Sequence, residues 1–527
     1  MKNTAPFFYV RRFASHTDTR GIASCILGHK LSPDGSKPRD DGIFAEWNWD
    51  GHVLRVQNDR YGFYPIFYFC VGQELCVSTS IPTLLEQGAP RDLNSHGLAV
   101  FLRLGFFIGE DTPFTYINAL PPGATLEWVN GVLRVTGGYL FQRPQDLSRD
   151  EAIDGYISLF KRSLLRRVPL CNDFALLLSG GRDSRHILLE LCELGHPPKF
   201  CVTVKNSYTP HHDESPAACS LAAAVKVEHV VVNSTESWFE REVVKNQLTS
   251  FCSDEHAWSM PLANYLKGKV HCFYDGIGGD VLSAGLFLNR ERLTLFDSGR
   301  FQDLAHVLLK DFSSWNNVNE ALLEALLTRD SCERLKLGVA VEHLTLELKR
   351  HVDQPNPVSS FFFWNRTRRE IALSPYGLLA IAGTALSPYL DCDLFDFLSS
   401  LRASLFLDHT FHTETIARAY PKFAQIPYHK EEAEKRSASS HKRIFCGEFL
   451  AYLLARMPKR QRLVRLHYLV PRLAYCLVTS EYKPWWPSLA IELYLLQLGL
   501  VANKPQGWQR RSRLTSPPEN NDSPKLE

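Results

Sequence analysis

Residues 175–191 read ALLLSGGRDSRHILLEL: an apolar run that breaks into Ser179-Gly180-Gly181, passes through Arg182-Asp183-Ser184 and then turns amphipathic. Two glycines let a backbone turn sharply with nothing projecting, so that successive N–H groups can face an anion. A helix starting there adds the positive end of its dipole and further N–H groups, and Ser179 and Ser184 offer hydroxyl donors. An acid inside such a cradle repels an anion unless a divalent cation lies between them. That makes Asp183 a candidate Mg2+ ligand. The spacing is neither GxxxxGK[ST] nor GxGxxG. Taken alone, it also fits an ordinary strand-to-helix turn capped by an aspartate.

A second glycine-rich exit follows in HCFYDGIGGDVLSAG, where an apolar segment ends in Asp275-Gly276-Ile277-Gly278-Gly279-Asp280. Between the two exits, HDESPAACSLAAAV places Asp213 and Glu214 at the start of another helix. Two exits of this kind in one parallel sheet make one nucleotide pocket with two candidate metal ligands, Asp183 and Asp280. Leu178, Val202, Asp275 and Gly276 line the nucleotide by position. Asp280 also fits a plain helix cap. Arg182 and Arg185 pair with phosphate or with a carboxylate substrate, or Arg185 is a solvated side chain; His186 reads as surface or core rather than catalytic.

The elements that must hold these loops follow from pattern. Residues 1 to about 145 carry short alternating or aromatic runs such as HVLRVQND, PIFYFCV and LCVSTS between turn residues, a β-rich texture. From about 150 it changes to an amphipathic helix (DEAIDGYISLFKRSLLRRV), a buried strand (FALLLS), and a helix carrying Ile187, Leu188, Leu191 and Leu194 that Gly195 stops. KFCVTV, ESPAACSLAAAV and EHVVVN then give strand, helix, strand, which means a parallel sheet with crossovers. Residues 300–500 read as mostly helical, and the polar, proline-bearing segment 504–527 as a disordered tail. The length of 527 residues calls for two domains.

Composition excludes several classes. Charged residues are 22% and the formal net charge is +2, with no basic stripe, which argues against a nucleic-acid partner. Apolar stretches are shorter than a membrane span and the first residues lack a signal-peptide core, so the expected location is cytoplasmic. The 13 scattered cysteines read as reduced thiols rather than a disulfide framework or zinc site.

These motifs, in this order, resemble the asparagine synthetase family. LSGGRDS is similar to its pyrophosphate loop, usually LSGGLDSS; HDESPAACSLA to its Asp-Glu segment, with His229 on the following strand; and DGIGGDVLSAG to its GEGADELFGGY. LSPYLDCDLFDFLSSL resembles its C-terminal proline-phenylalanine-leucine-aspartate segment, and NDRYGFYPIFYF and STSIPTLLE resemble N-terminal segments of the family. The resemblance implies a four-layer αββα glutaminase-like domain over 1–145, here degenerate, then an α/β parallel-sheet ATP-pyrophosphatase domain over 150–503 with a helical C-terminal part. It implies ATP and Mg2+ as cofactors, with Ser179, Gly180, Gly181, Asp183 and Ser184 on pyrophosphate and Asp183 and Asp280 on the metal. A small-molecule or peptide carboxylate, activated as an acyl-adenylate, and an amine donor are the implied partners, with no membrane partner; a homodimer is allowed.

The chain departs from that family at three points. The nucleophilic cysteine expected after the initiator methionine is Lys2, and no cysteine precedes Cys25, so glutamine hydrolysis by that route is not expected. The family's two glutamates in GEGADE are Ile277 and Val281. Its lysine falls at or near His409, with His412 and Lys422 as looser matches, and a histidine could steady an adenylation transition state only when protonated. Lasso-peptide cyclases share the missing cysteine and a glycine-glycine-aspartate motif, so peptide macrolactam formation, glycan amidation and nucleotide binding without catalysis stand as alternatives.

Overall fold

Ten antiparallel strands open the chain: β1 (Phe7–Arg12), β2 (Thr17–Gly21), β3 (Ser24–Leu31), β4 (Asp41–Trp49), β5 (Val53–Asn58), β6 (Phe67–Val71), β7 (Glu74–Ser78), β8 (Ile117–Ala119), β9 (Thr125–Val129) and β10 (Val132–Thr136). This is a computed structural model, which describes residues 5–31, 41–168, 173–205, 213–234, 237–316, 318–429, 439–456, 463–479 and 486–503. The strands form two sheets, of order β2-β1-β7-β6-β8 and β10-β9-β5-β4-β3. Alternation decides their faces. Phe8 and Val10 of β1 and Leu75 and Val77 of β7 meet Leu54, Val56, Leu126 and Trp128 of the opposite sheet, all buried. The residues between them, Tyr9 and Cys76, point to the other side and join the main core.

On that side lie α1 (Ile81–Glu86) and α2 (Ser95–Leu104). Ser80 and Asn94 cap them by accepting from the Thr83 and Gly97 amides, and Gly105, at φ +88°, ends α2. The outward positions of the second sheet carry ion pairs, Arg55–Glu127 at 2.9 Å and Lys30–Glu46 at 2.8 Å. So the described helices of this region form one layer, on the first sheet.

The second part begins with α3 (Arg149–Arg167), started by a capping box of Ser148 and Glu151. It continues through β11 (Phe174–Leu177), α4 (Asp183–Glu193), β12 (Phe200–Lys205), α5 (Ser215–Ala224), β13 (His229–Asn233), α6 (Trp238–Leu248), α7 (Met260–Leu266), β14 (Cys272–Tyr274), α8 (Gly279–Ser283) and, much later, β15 (Thr384–Leu386). All four pairings are parallel and the order is β13-β12-β11-β14-β15. Ile187, Leu188 and Leu191 are fully buried, and Gly195 ends α4 at φ +76°. Beyond Arg290 the chain is mostly helical, to a last helix Trp486–Ala502. The expected disordered tail, 504–527, lies outside the described residues. Among the described residues no helix is long and apolar enough to cross a membrane.

Buried arginines join the two parts. Arg103 of α2, 1% exposed, donates to both carboxylate oxygens of Glu320 at 2.7 Å and to the Leu335 carbonyl at 3.0 Å. Arg368 donates to the Leu120 carbonyl at 2.8 Å. Leu126→Ala, which removes side-chain volume from the centre of the sandwich, is expected to lower unfolding stability by about 2–5 kcal/mol. Chemical denaturation checks this; a loss near zero would show that the two sheets are not packed on each other there.

Candidate active site

Strand order makes the crevice. β11 is central, with β12 and β13 on one side and β14 and β15 on the other, so the chain leaves β11 and β14 at the point where the winding reverses and a ligand can enter. Both glycine-rich exits lie there, and the structure presses them together. A Cβ on Gly276 would stand 2.7 Å from Asp183 Cβ, and one on Gly279 would stand 2.5 Å from Asp183 Oδ1. The main-chain N–H of Asp280 donates to the Asp183 carboxylate. These glycines are therefore the space that Asp183 occupies.

The two serines do not project as free donors. Ser184 Oγ accepts from the Ser179 amide at 3.0 Å and lies 3.0 Å from Ser179 Oγ, which accepts from the Gly181 amide at 3.2 Å. They brace the turn. α4 starts at this edge without a side-chain N-cap, whereas the first amides of α5 and α8 are already used, the Ser215 amide donating to Asp213 Oδ1 at 3.1 Å and the Val281 amide to Asp280 Oδ1 at 2.7 Å. Residues 426–429 close over the loop: the His429 amide donates to the Gly180 carbonyl at 3.0 Å, and a Cβ on Gly180 would run into His429 Cβ. Arg185 holds that segment. It is 2% exposed, donates to the Ile426 and Pro427 carbonyls at 2.7 Å each, and stacks on Tyr428 at 3.8 Å. The reading of Arg185 as a solvated side chain does not hold: it is buried, and both terminal nitrogens donate to main-chain carbonyls, while its Nε has no partner. Arg182 is exposed, with Nε donating to Thr413 Oγ1 at 2.7 Å.

Three acids crowd the crevice. Burial first, then the charge of Asp280, pushes the Asp183 carboxyl well above its ordinary range. Burial, with Asp280 adding, raises Asp275 to about 6; Asp275 also accepts from the Ile277 amide at 2.8 Å. Asp280 is raised by burial, against the pull of Arg366. Like charges held together in a half-buried crevice call for a cation. The residues fit Mg2+. All donors are carboxylate oxygens, and Asp183 Oδ1 is buried without a hydrogen-bond partner. The acids do not converge as one tight trio, which suits an ion that takes one or two carboxylates and completes its shell with water and phosphate oxygens.

The structure separates the three matches to the family lysine. His409, at φ +59°, contacts the Ala284 carbonyl at 3.3 Å, beyond α8. Lys422 is exposed. His412 is the one beside the acids, its Nδ1 lying 3.3 Å from Asp183 Oδ1. Ser283 donates its proton to the Gly279 carbonyl at 2.7 Å and so accepts from His412 Nδ1 at 3.0 Å; Tyr156 stands 3.2 Å from Nε2. Burial, with Arg182 second, pushes the His412 pKa down to about 3. His412 is therefore neutral and does not supply the lysine's charge. Arg182 and Arg366 are the cations whose charge reaches Asp183 and Asp280.

Other expected residues sit below the crevice. Leu178 and Val202 are 2% and 1% exposed, and the Leu178 amide donates to the Val202 carbonyl at 2.9 Å. Ile277 and Val281, which replace the two glutamates, are buried in the apolar core. His186 is core, stacked on Phe160 at 3.7 Å between centroids. Asp213 pairs with Lys205 at 2.8 Å at the start of α5. Sequence reasoning missed Arg366 and the ring of Tyr156, Ser283 and Tyr389 around His412; nothing in local spacing marks them.

An antiparallel sandwich followed by a parallel sheet with an anion loop and acids at its reversal point defines a two-part α/β nucleotide-binding protein. Comparison with known families narrows the class. Residues 9–139 match the glutamine amidotransferase domain, and residues 156–412 match asparagine synthase. The chain belongs to the asparagine synthetase family, a family of ATP-dependent, amide-forming ligases. Comparison with curated protein sequences finds no match. Among solved structures, an NMN synthetase from Francisella tularensis aligns at 14% identity over 40% of this chain and 97% of its own, with a TM-score of 0.22, too low to carry an argument.

Two outcomes follow from the crowding. Raised carboxyl pKa values mean that the folded state binds protons more tightly than the unfolded state, so stability is present below about pH 4 and is lost as pH rises through about 6. In EDTA, thermal stability is expected to fall between pH 5 and 7.5, and Asp275→Asn to recover up to about 3 kcal/mol at the higher pH; melts that do not respond to the variant would contradict this. Gly276→Ala, which drives a methyl into Asp183, is expected to weaken nucleotide binding at least tenfold, read by calorimetric titration. Unchanged affinity would show that the close approach is not needed.

Proposed function

We propose that this protein activates a carboxylate with ATP and joins it to an amine. A carboxylate oxygen of the substrate attacks the α-phosphorus, pyrophosphate leaves, and the amine nitrogen then attacks the acyl carbon, releasing AMP and a proton. The observation that carries this reading is the Asp183 carboxylate set against the Gly276–Gly279 turn at the reversal point of the sheet. Ser179, Gly180, Gly181 and Ser184 shape the cradle for the leaving pyrophosphate, with the amides at the start of α4 facing it. Asp183 and Asp280 would hold Mg2+, whose chemistry when bound is to neutralise charge developing on the phosphates. Arg182 and Arg366 take over part of the electrostatic work of the missing lysine, the first acting on Asp183 and the second on Asp280.

The amine donor in this reading is ammonia or an amine on a larger substrate, rather than glutamine. The first cysteine, Cys25, lies within β3, and burial raises its thiol pKa, the opposite of what a nucleophile needs. Lys2 lies outside the described residues. A second reading, nucleotide binding without chemistry, rests on Ile277 and Val281, which have no group to take up a proton from the attacking amine, and on His412, which is neutral and a weak base and so offsets no charge.

Exchange of labelled pyrophosphate into ATP, measured across a panel of small and peptide carboxylates, tests the proposal. Carboxylate-dependent exchange is expected, falling at least a hundredfold in Asp183→Ala, with no glutamate formed from glutamine. Tight ATP binding with no exchange for any carboxylate would favour the second reading.

A further inference from the structure

A separate group of acids lies where the end of α2 meets the helical region. Asp254 and Glu255 belong to the loop between α6 and α7, and Glu370 follows the π-helical turn Phe363–Thr367, a kind of distortion that often marks functional positions. One carboxylate oxygen from each of the three lies within 4.8 Å of the others. Gly105, just past α2, leaves room for Asp254: a Cβ there would run into Asp254 Oδ2.

The charges facing the group do not balance. Arg366 lies 3.0 Å from Glu255 and 3.7 Å from Glu370, and its charge also reaches Asp280. Lys245 is spent on Glu242 at 3.1 Å, both buried. Asp254 and Glu370 share a side-chain hydrogen bond, which takes a proton between them; once a cation displaces that proton, three carboxylates against one guanidinium leave two negative charges, the complement of one divalent ion. Two further observations point to a ligand. Glu370 is 1% exposed, yet its Oε1 has no hydrogen-bond partner. His256, 3% exposed and coupled to Glu255 and Arg366, has neither ring nitrogen in a hydrogen bond of good geometry, although it lies beside the Glu370 main chain. Burial, then Asp254, also pushes Glu370 well above the ordinary carboxyl range. Glu255, 43% exposed, leaves the group open to solvent.

We propose that Asp254, Glu255 and Glu370 form a second divalent-cation site, separate from Asp183 and Asp280, that takes a hard cation such as Mn2+ or Mg2+. Oxygen donors select for that class. The exposed Glu255 gives an entry path, and a bound ion would sit at the seam between the N-terminal sandwich and the helical region.

Mn2+ alone is the probe, without nucleotide, in an Asp183→Asn/Asp280→Asn double variant that silences the first site. Loss of the free-ion EPR signal on titration is expected to count one Mn2+ per chain, and added Mn2+ to raise the melting temperature. Adding Glu370→Gln, or independently Asp254→Asn, is expected to weaken that binding by an order of magnitude. Absence of binding at millimolar Mn2+ in the double variant would overturn the proposal and leave a group balanced by protons. Binding unchanged by both added substitutions would overturn it equally.

Discussion

One carboxylate, Asp183, sets the terms for the rest of this structure. It is half-buried, with Oδ1 out of water, against a glycine turn from a different strand, and Asp280 and Asp275 are close enough to raise its proton affinity. Such a group is costly until a cation arrives. The sheet order places the two exits side by side, Gly276 and Gly279 give up their side chains, and Ser179 and Ser184 brace the first turn. Each feature stabilises an arrangement that the acids alone would drive apart. That is the pattern expected where binding chemistry has been favoured over local stability.

Around this centre the positive charge comes from unusual places. Where the family has a lysine, the nearest side chain is the neutral, fully buried His412, tied into Ser283 and Tyr156. Its Nδ1 lies 3.3 Å from Asp183 Oδ1. The charges of Arg182 and Arg366 reach the acids instead, one from the exposed start of α4 and one from 86 positions beyond Asp280 in the sequence. Guanidinium keeps its charge even when largely buried, whereas imidazole does not. The N-terminal sandwich is joined to the helical region through Arg103 and Arg368.

What could be read from the sequence was local. The alternating strand of Leu54 and Val56, the helix ended by Gly195, and the glycines after β11 and β14 all follow from spacing that one segment carries by itself. The family resemblance supplied the order of the segments, and the sheet brought Asp183 and Asp280 to one edge as that order implied. What could not be read depends on folding across distance. Arg185 looked like a ligand or a surface residue because Ile426 and Pro427, whose carbonyls take its two terminal nitrogens, are more than 240 positions away. The serines looked like donors because their mutual bond exists only once the turn is closed. The charge state of His412 is set by burial, which no spacing reveals.

The central claim is that Asp183 and Asp280 share a metal with a bound triphosphate at the edge between β11 and β14. Crystals of the protein grown with Mn2+ and a non-hydrolysable ATP analogue test it most directly, by anomalous scattering from the ion. The account predicts a peak between the carboxylates of Asp183 and Asp280, with the terminal phosphates over Gly180 and Gly181. A nucleotide bound elsewhere, or an ion at this edge that touches neither acid, would contradict it.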